Sequence, residues 1–163
     1  MHFRRAIRQP IRVLVLCLLW TVCCLGPSRA AVTCVIRSTA VKFGKYDVFN
    51  VANTDSNGSI TYHCNGYLSP PGSGPITIFL NKGTSLTFTP RFMHNGVNHL
   101  NYNLYLDAGL SQIWGDGTGG TSIYSATAVN AVPVTVTVFG SIPAAQDAHT
   151  GAYTDSVKAT INF

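Results

Sequence analysis

Apolar and polar residues alternate with a period of two along three segments of the chain. At the C-terminus, residues of one parity are mostly apolar and residues of the other are polar; the apolar set is Tyr153, Val157, Ala159, Ile161 and Phe163. A period of two is typical of a strand with one buried face. The same alternation runs through 100–107 and through 132–139, where Pro133 stands near the start, the position at which a missing N–H costs least. These three segments are predicted to be strands.

Shorter strands are predicted at 32–43, 59–64, 76–80 and 86–92. The segments between them are rich in Gly, Pro, Asn and Asp, which favour turns; they are 53–58, 65–75, 94–98 and 115–121. No segment has a sustained helical period of 3.6 residues. About seven short strands separated by turns indicate an all-β sandwich.

The first thirty residues have the pattern of a secretory signal peptide. Four arginines within 4–12 precede an apolar run of fourteen residues at 13–26, and small residues at Ser28 and Ala30 suit a cleavage site after Ala30. The run is shorter than the roughly 20 apolar residues that span a bilayer, so we expect no stable membrane anchor. Lipidation at Cys23 or Cys24 is disfavoured because neither follows a small Gly or Ala. The predicted organisation is a signal peptide at 1–30 and one β-sandwich domain at 31–163.

The positive charge of the chain belongs mainly to this leader. The net charge of +5 comes from 11 Lys and Arg against 6 Asp, and five of the arginines precede residue 31. Six positive and six negative residues remain in 31–163, so its formal charge is zero. A nucleic-acid-binding domain needs a basic patch on its folded surface. We therefore expect no nucleic-acid partner.

Two cysteines, Cys34 and Cys64, lie beyond the predicted cleavage site. A pair of cysteines in an exported protein is normally oxidised, so a disulfide is expected. Metal ligation is the alternative, but the pair lacks a CxxC spacing, and His63 lies on the opposite face of a strand from Cys64.

The sequence offers little catalytic chemistry. His94 and His99 are separated by a turn-like Asn95-Gly96 and could ligate a metal together, although two solvated loop histidines are the favoured interpretation. A glycine-rich motif invites comparison with a phosphate loop, but neither a lysine nor a helix follows it. Its residues are Trp114, Gly115, Asp116, Gly117, Thr118, Gly119 and Gly120. We interpret it as a structural loop and expect no enzymatic activity, metal or cofactor.

Motifs spread over 31–163 resemble those of the spore coat protein U domain family, which includes subunits of archaic chaperone-usher pili. They are Cys34-Val35, 41–46, 58–64, Arg91, Met93, 100–107, the loop at 114–120, 138–143, Gln146 and 151–157. The resemblance implies an immunoglobulin-like β-sandwich that lacks one strand and is completed by a donor strand. It also implies a periplasmic chaperone, an outer-membrane usher and other pilus subunits as partners. Export through the periplasm to the cell surface, a fimbrium or the medium follows, with a role in adhesion or biofilm formation.

The resemblance further implies that the alternating C-terminal strand, with Tyr153, Val157, Ala159, Ile161 and Phe163, forms a wall of the groove held by a chaperone or a donor strand. One departure from the family pattern concerns the donor segment that precedes the first cysteine in polymerising subunits. Only Ala31, Val32 and Thr33 stand between the predicted cleavage site and Cys34. Three residues span at most about 10 Å, too little for a donor strand. A minor or tip-like subunit is therefore expected.

Two other functions remain open from the sequence. The domain could serve in a coat or matrix outside a pilus. It could also be a secreted carbohydrate-binding sandwich, with Tyr67, Tyr105 and Trp114 as exposed stacking platforms.

Overall fold

The computed structural model describes residues 31–68, 70 and 72–163. The predicted signal peptide at 1–30 lies outside the described residues. The described chain contains eight strands. They are β1 (Thr33–Thr39), β2 (Thr54–Asn65), β3 (Ser73–Leu80), β4 (Arg91–Asn95), β5 (Asn98–Tyr105), β6 (Tyr124–Val129), β7 (Val134–Ile142) and β8 (Ala159–Asn162). No helix capable of crossing a membrane occurs in this part of the chain.

The strands form two antiparallel sheets. The larger sheet has the order β1-β2-β7-β5-β4, and the smaller has the order β6-β3-β8. Register is fixed by long ladders, such as that in which Cys34 pairs with Cys64 and Thr39 with Ser59. This two-layer arrangement is the all-β, immunoglobulin-like sandwich expected from the sequence.

Alternate residues of the central strands build the core between the sheets. In β2 the residues Ile60, Tyr62 and Cys64 are buried, while the polar residues between them face outward. The facing strand β3 contributes Ile76, Ile78 and Leu80. Because successive side chains of a strand point to opposite faces, this alternation gives one apolar layer between two polar surfaces.

The strand bounds differ from the prediction where local composition and tertiary pairing disagree. Residues 53–58 were predicted to be a turn because they are rich in Asn, Asp, Ser and Gly, but β2 begins at Thr54, where antiparallel pairing with β7 sets the conformation. Strand β6 was not predicted, because its inward positions include the small residues Ala126 and Ala128, which give a weak apolar signal.

The strand predicted at 86–92 begins later than expected, since only Arg91 and Phe92 of that segment belong to a strand. Residues 81–90 form a loop, and β4 begins after Pro90, which has no N–H to donate to a ladder. The turn predicted at 94–98 is shorter, since only Gly96 and Val97 separate β4 from β5. Gly96 has a φ of 60°, which glycine adopts without steric cost.

Candidate functional site

Each sheet has two end strands, β1 and β4 in the larger sheet and β6 and β8 in the smaller, and β1 and β8 lie next to the same groove. Strand β1 ends the larger sheet and pairs with β2 alone, and β8 ends the smaller sheet and pairs with β3 alone. The chain extends each edge without joining a continuous ladder, through 40–46 after β1 and through 155–158 before β8. Unpaired edges of this kind are templates for pairing with another strand.

An apolar groove lies between these two extensions. Its first part has a volume of about 540 Å³ and is walled by 38–43 on one side and 153–157 with Ala159 on the other. The floor consists of core side chains from both sheets, namely Ile60, Leu80, Met93, Tyr102, Leu104 and Val138. A second part, of about 680 Å³, lies between 41–48 and 148–153 and shares Val41, Phe43, Met93 and Tyr153 with the first. The core is therefore open along one side of the sandwich.

Two glycines allow the segment after β1 to lie over the inner face of the larger sheet. A Cβ on Gly58 would stand 2.6 Å from the carbonyl oxygen of Thr39, and one on Gly140 would stand 2.7 Å from the Val41 side chain. Phe43 packs edge to face against Tyr102, with ring centroids 5.9 Å apart. The segment thus leaves the β1 ladder because its apolar side chains occupy the space that these glycines leave free.

The opposite wall is held by Asp155. Its carboxylate accepts a hydrogen bond of 2.6 Å from the Tyr102 hydroxyl and further bonds from the Thr84 N–H, the Thr84 hydroxyl and the Ser156 N–H. Burial by itself raises the pKa of Asp155, but the hydrogen bonds from Tyr102, Thr84 and Ser156 outweigh burial and leave that pKa below its ordinary value. The pKa of Tyr102 is raised, first by burial and then by the bond to this carboxylate. Asp155 therefore anchors the wall as an ionised group.

Arg91 ties the floor of the groove to the glycine-rich loop. Its fully buried guanidinium donates to the side-chain oxygen of Asn103 at 2.7 Å, to the carbonyl of Trp114 at 2.7 Å and twice to the carbonyl of Asn81. Its charged plane also lies 5.0 Å from the ring centroid of Phe88. Burial lowers the pKa of Arg91, although nearby acidic groups oppose that shift. Neutral oxygens satisfy this cation, which fits a structural role.

The glycine-rich motif lies outside the strands and has a structural role in its contacts. Trp114 is fully buried and its indole N–H donates to the carbonyl of Ile78 at 3.0 Å. Asp116 accepts bonds from the backbone and hydroxyl of Thr118, which closes a tight turn and lowers the pKa of the carboxyl. Trp114 is therefore not an exposed stacking platform, contrary to the carbohydrate-binding interpretation.

The residues expected at the groove divide between its wall and the strand that follows. Tyr153, Val157 and Ala159 line the groove. Ile161 lies in β8 and packs against the core, whereas Phe163 follows β8 and is 54% exposed. Of the predicted strand at 153–163, only Ala159–Asn162 joins a ladder, and before it Thr154 makes a single bridge to His94 of β4.

Sequence reasoning did not find the other wall. Residues 38–43 were predicted as part of a strand, but their place in the groove wall depends on Gly58 and Gly140, which are distant in sequence. The expected disulfide is present: Cys34 and Cys64 are bonded and pair directly across β1 and β2. It fastens the start of β1 to the sandwich.

No group of three or more His, Cys, Asp or Glu residues is placed to hold a metal within 31–68, 70 and 72–163. His94 and His99 are not loop residues, because they lie in β4 and β5 and face each other directly. This arrangement corrects the interpretation of the pair as solvated loop histidines.

Comparisons with known proteins agree with this architecture. The family model of the Spore Coat Protein U domain matches residues 22–160. "Protein U" of Myxococcus xanthus is 30% identical over 130 residues, which cover 76% of this chain and 71% of that protein. These matches confirm the resemblance identified from the sequence motifs.

A solved structure shares the fold. It is the crystal structure of the CsuC-CsuE chaperone-tip adhesion subunit pre-assembly complex from archaic chaperone-usher Csu pili of Acinetobacter baumannii. One of its chains matches with a TM-score of 0.53 and 22% identity, over 82% of this chain and 40% of that chain. The chain thus spans less than half the length of this structural neighbour. The family model and the relative together show that the chain belongs to the Spore Coat Protein U domain family.

Proposed function

We propose that the protein is a structural subunit of a chaperone-usher pilus or a related surface assembly, joined to its neighbour by donor-strand complementation. The observation that carries this proposal is the apolar groove between two unpaired edges. A strand inserted there would pair with the backbone of both walls and place alternate side chains on the floor.

The chemistry of the groove supports an extended peptide as its occupant. Its floor includes Ile60, Leu80, Leu104 and Val138, which are buried core residues on both sheets. Burying apolar surface against such a floor contributes about 25 cal/mol per Å². Backbone groups along 40–43 and 155–157 would supply donors and acceptors, so affinity would come from the ladder and selectivity from the side chains.

A groove of this kind needs protection before assembly. Unpaired edges beside exposed apolar residues are an aggregation hazard. A periplasmic chaperone that lends a strand would remove this hazard, and an outer-membrane usher would then exchange that strand for one from another subunit. In this order of events the protein would pass through the periplasm first and then reach the cell surface, where it would contribute to adhesion or biofilm formation.

The position of the subunit follows from the start of β1. Residues from Thr33 onward pair with β2, and the Cys34–Cys64 bond fixes them there. A donor segment would have to precede Thr33, and cleavage after Ala30 would leave two residues for it. We propose that the protein accepts a strand without supplying one, as a minor or tip-like subunit would. N-terminal sequencing of the exported protein tests this step.

Co-export with a candidate chaperone tests the main proposal. We expect the wild-type protein to be recovered as a one-to-one complex. Val157→Asp places a charge on the groove wall and should abolish capture, whereas Val132→Asp, at a loop residue that is 47% exposed, is the matched control and should be captured normally. Equal capture of both variants, or a stable monomer without any chaperone, would contradict the proposal.

A coat or matrix role outside a pilus is the second candidate. The family description, Spore Coat Protein U domain, favours it. Immunogold labelling of intact cells distinguishes the two roles, because a pilus subunit labels filaments and a coat protein labels a continuous layer.

A further inference from the structure

A pair of histidines lies on the outer face of the β4–β5 hairpin, away from the groove. His94 is paired with His99 across the two strands, two positions from the Gly96-Val97 turn. Both side chains point to the face opposite Met93 and Leu100, which are buried in the core. His99 is exposed and His94 is half-buried, so a solute can reach both rings.

The backbone brings these two side chains close together. The N–H of His94 donates to the carbonyl of Thr154 at 2.9 Å, and the His94 carbonyl accepts from the Thr154 N–H at 3.1 Å. Both backbone groups of His94 therefore point away from β5, which makes His94 and His99 a non-hydrogen-bonded pair. In such pairs the Cα atoms are only about 4.5 Å apart and the side chains are closer than in the hydrogen-bonded type.

Phe92 holds both rings at the same place. Its ring stacks on His99 with centroids 4.3 Å apart and planes inclined by 23°. The same ring meets His94 edge to face at 5.7 Å. An aromatic contact on each imidazole restricts its rotation, so less conformational entropy remains to be lost when a ligand binds.

The distance between the imidazoles suits a shared metal ion. Their centroids are 6.1 Å apart. With metal–nitrogen bonds of about 2.0–2.1 Å, two imidazoles at a tetrahedral angle have centroids about 5 Å apart. The remaining difference of about 1 Å would be closed by rotation of the two side chains when a metal binds.

From this geometry we propose that His94 and His99 form a two-ligand site for a divalent transition metal ion of the Zn²⁺, Ni²⁺ and Cu²⁺ class. Neutral imidazole is a preferred ligand for these ions, and Mg²⁺ and Ca²⁺ prefer oxygen ligands. Two protein ligands leave the other coordination positions to water. Cu²⁺ should bind more tightly than Ni²⁺ or Zn²⁺, following the general affinity order for nitrogen ligands.

Titration with zinc chloride of the exported protein, purified as its complex with the co-exported chaperone and free of any histidine tag, tests the site, with only this chain isotope-labelled. Nuclear magnetic resonance of the imidazole side chains should show the signals of His94 and His99 changing together and saturating at one Zn²⁺ per chain. The signals of His63 and His149 serve as internal controls and should not change in this range. Magnesium chloride should leave all four signals unchanged.

Two variants complete the experiment. His99→Ala should weaken zinc binding by more than about tenfold, the smallest loss typical of removing even an outer-shell partner of a metal ligand. His63→Ala, on β2, is the matched control and should bind zinc like the wild type. The proposal is overturned if His99→Ala keeps the wild-type affinity, if all four histidines respond in parallel, or if no saturable binding occurs at millimolar zinc.

Discussion

Removal of the Tyr102 hydroxyl should destabilise the groove wall by an amount that the structure defines. Tyr102→Phe keeps the buried ring and deletes the 2.6 Å hydrogen bond to Asp155. A hydrogen bond to a charged group contributes about 1.5–3 kcal/mol. Because Asp155 is only partly buried and water can replace the hydroxyl, we expect the lower end, about 1.5 kcal/mol. With a urea m-value of about 2 kcal/mol/M, the unfolding midpoint should fall by about 0.7 M.

The partner residue provides a double-mutant cycle. Asp155→Asn removes the charge but keeps the shape of the side chain. In the Asp155→Asn background, Tyr102→Phe should cost clearly less than in the wild type, because the charged acceptor is already absent. Unfolding of the wild type, the two single variants and the double variant should be measured at the same partner concentration, because a bound partner shifts apparent stability. An equal cost in both backgrounds would refute the coupling.

The pH dependence gives a second readout of the same pair. The pKa of Asp155 is lower in the folded protein than its ordinary value of 3.8, so the ionised form stabilises the fold. This contribution is fully present above the ordinary pKa and is lost as pH falls through the lower folded pKa. The wild type should therefore lose its advantage over Asp155→Asn as the pH is lowered below about 4. A constant difference between the two proteins from pH 7 to pH 2 would contradict this reasoning.

Three further changes test the packing around the groove. Replacement of both Cys34 and Cys64 by Ser should lower the free energy of unfolding by about 3.7 kcal/mol in the chain-entropy treatment of a 30-residue loop, measured by urea unfolding against the oxidised wild type. Gly58→Ala should displace the wall at Thr39, because the new Cβ would meet the Thr39 carbonyl oxygen at 2.6 Å. The affinity for a donor peptide should therefore fall, and an unchanged affinity would argue against that close contact. Trp114→Phe should lower the melting temperature, because the Ile78 carbonyl loses the hydrogen bond from the indole and the smaller ring leaves a cavity. An unchanged melting temperature would contradict the role of Trp114 in the core.

The sequence predicted those parts of the fold that depend on alternation along one strand. The apolar positions of β5, β7 and the C-terminal segment have a period of two because one face of each packs on the core. The disulfide was also predictable, since two cysteines remain after the predicted cleavage site. What could not be predicted were features set by tertiary partners, such as β6 with its small alanines and the loop at 81–90.

The groove could not be predicted from alternation along single strands. The family resemblance implied that Tyr153, Val157 and Ala159 belong to one wall, but alternation along the strand could not show that 155–158 lacks a neighbouring strand. The other wall depends on Val41 lying beside Gly58 and Gly140, a contact between segments distant along the chain. His94 lies opposite His99 because of the register of the β4–β5 hairpin, whereas composition alone predicted a turn at 94–98.

Hydrogen exchange of the backbone amides along the groove is the most direct test of the central claim. The probe is an extended peptide copied from the N-terminal donor segment of another subunit of the same assembly, and the control is the same peptide with its apolar alternation scrambled. The donor peptide should slow exchange along both 40–43 and 155–158, and the scrambled peptide should not. Binding that protects neither wall, or equal protection by both peptides, would contradict the claim that this groove receives a strand.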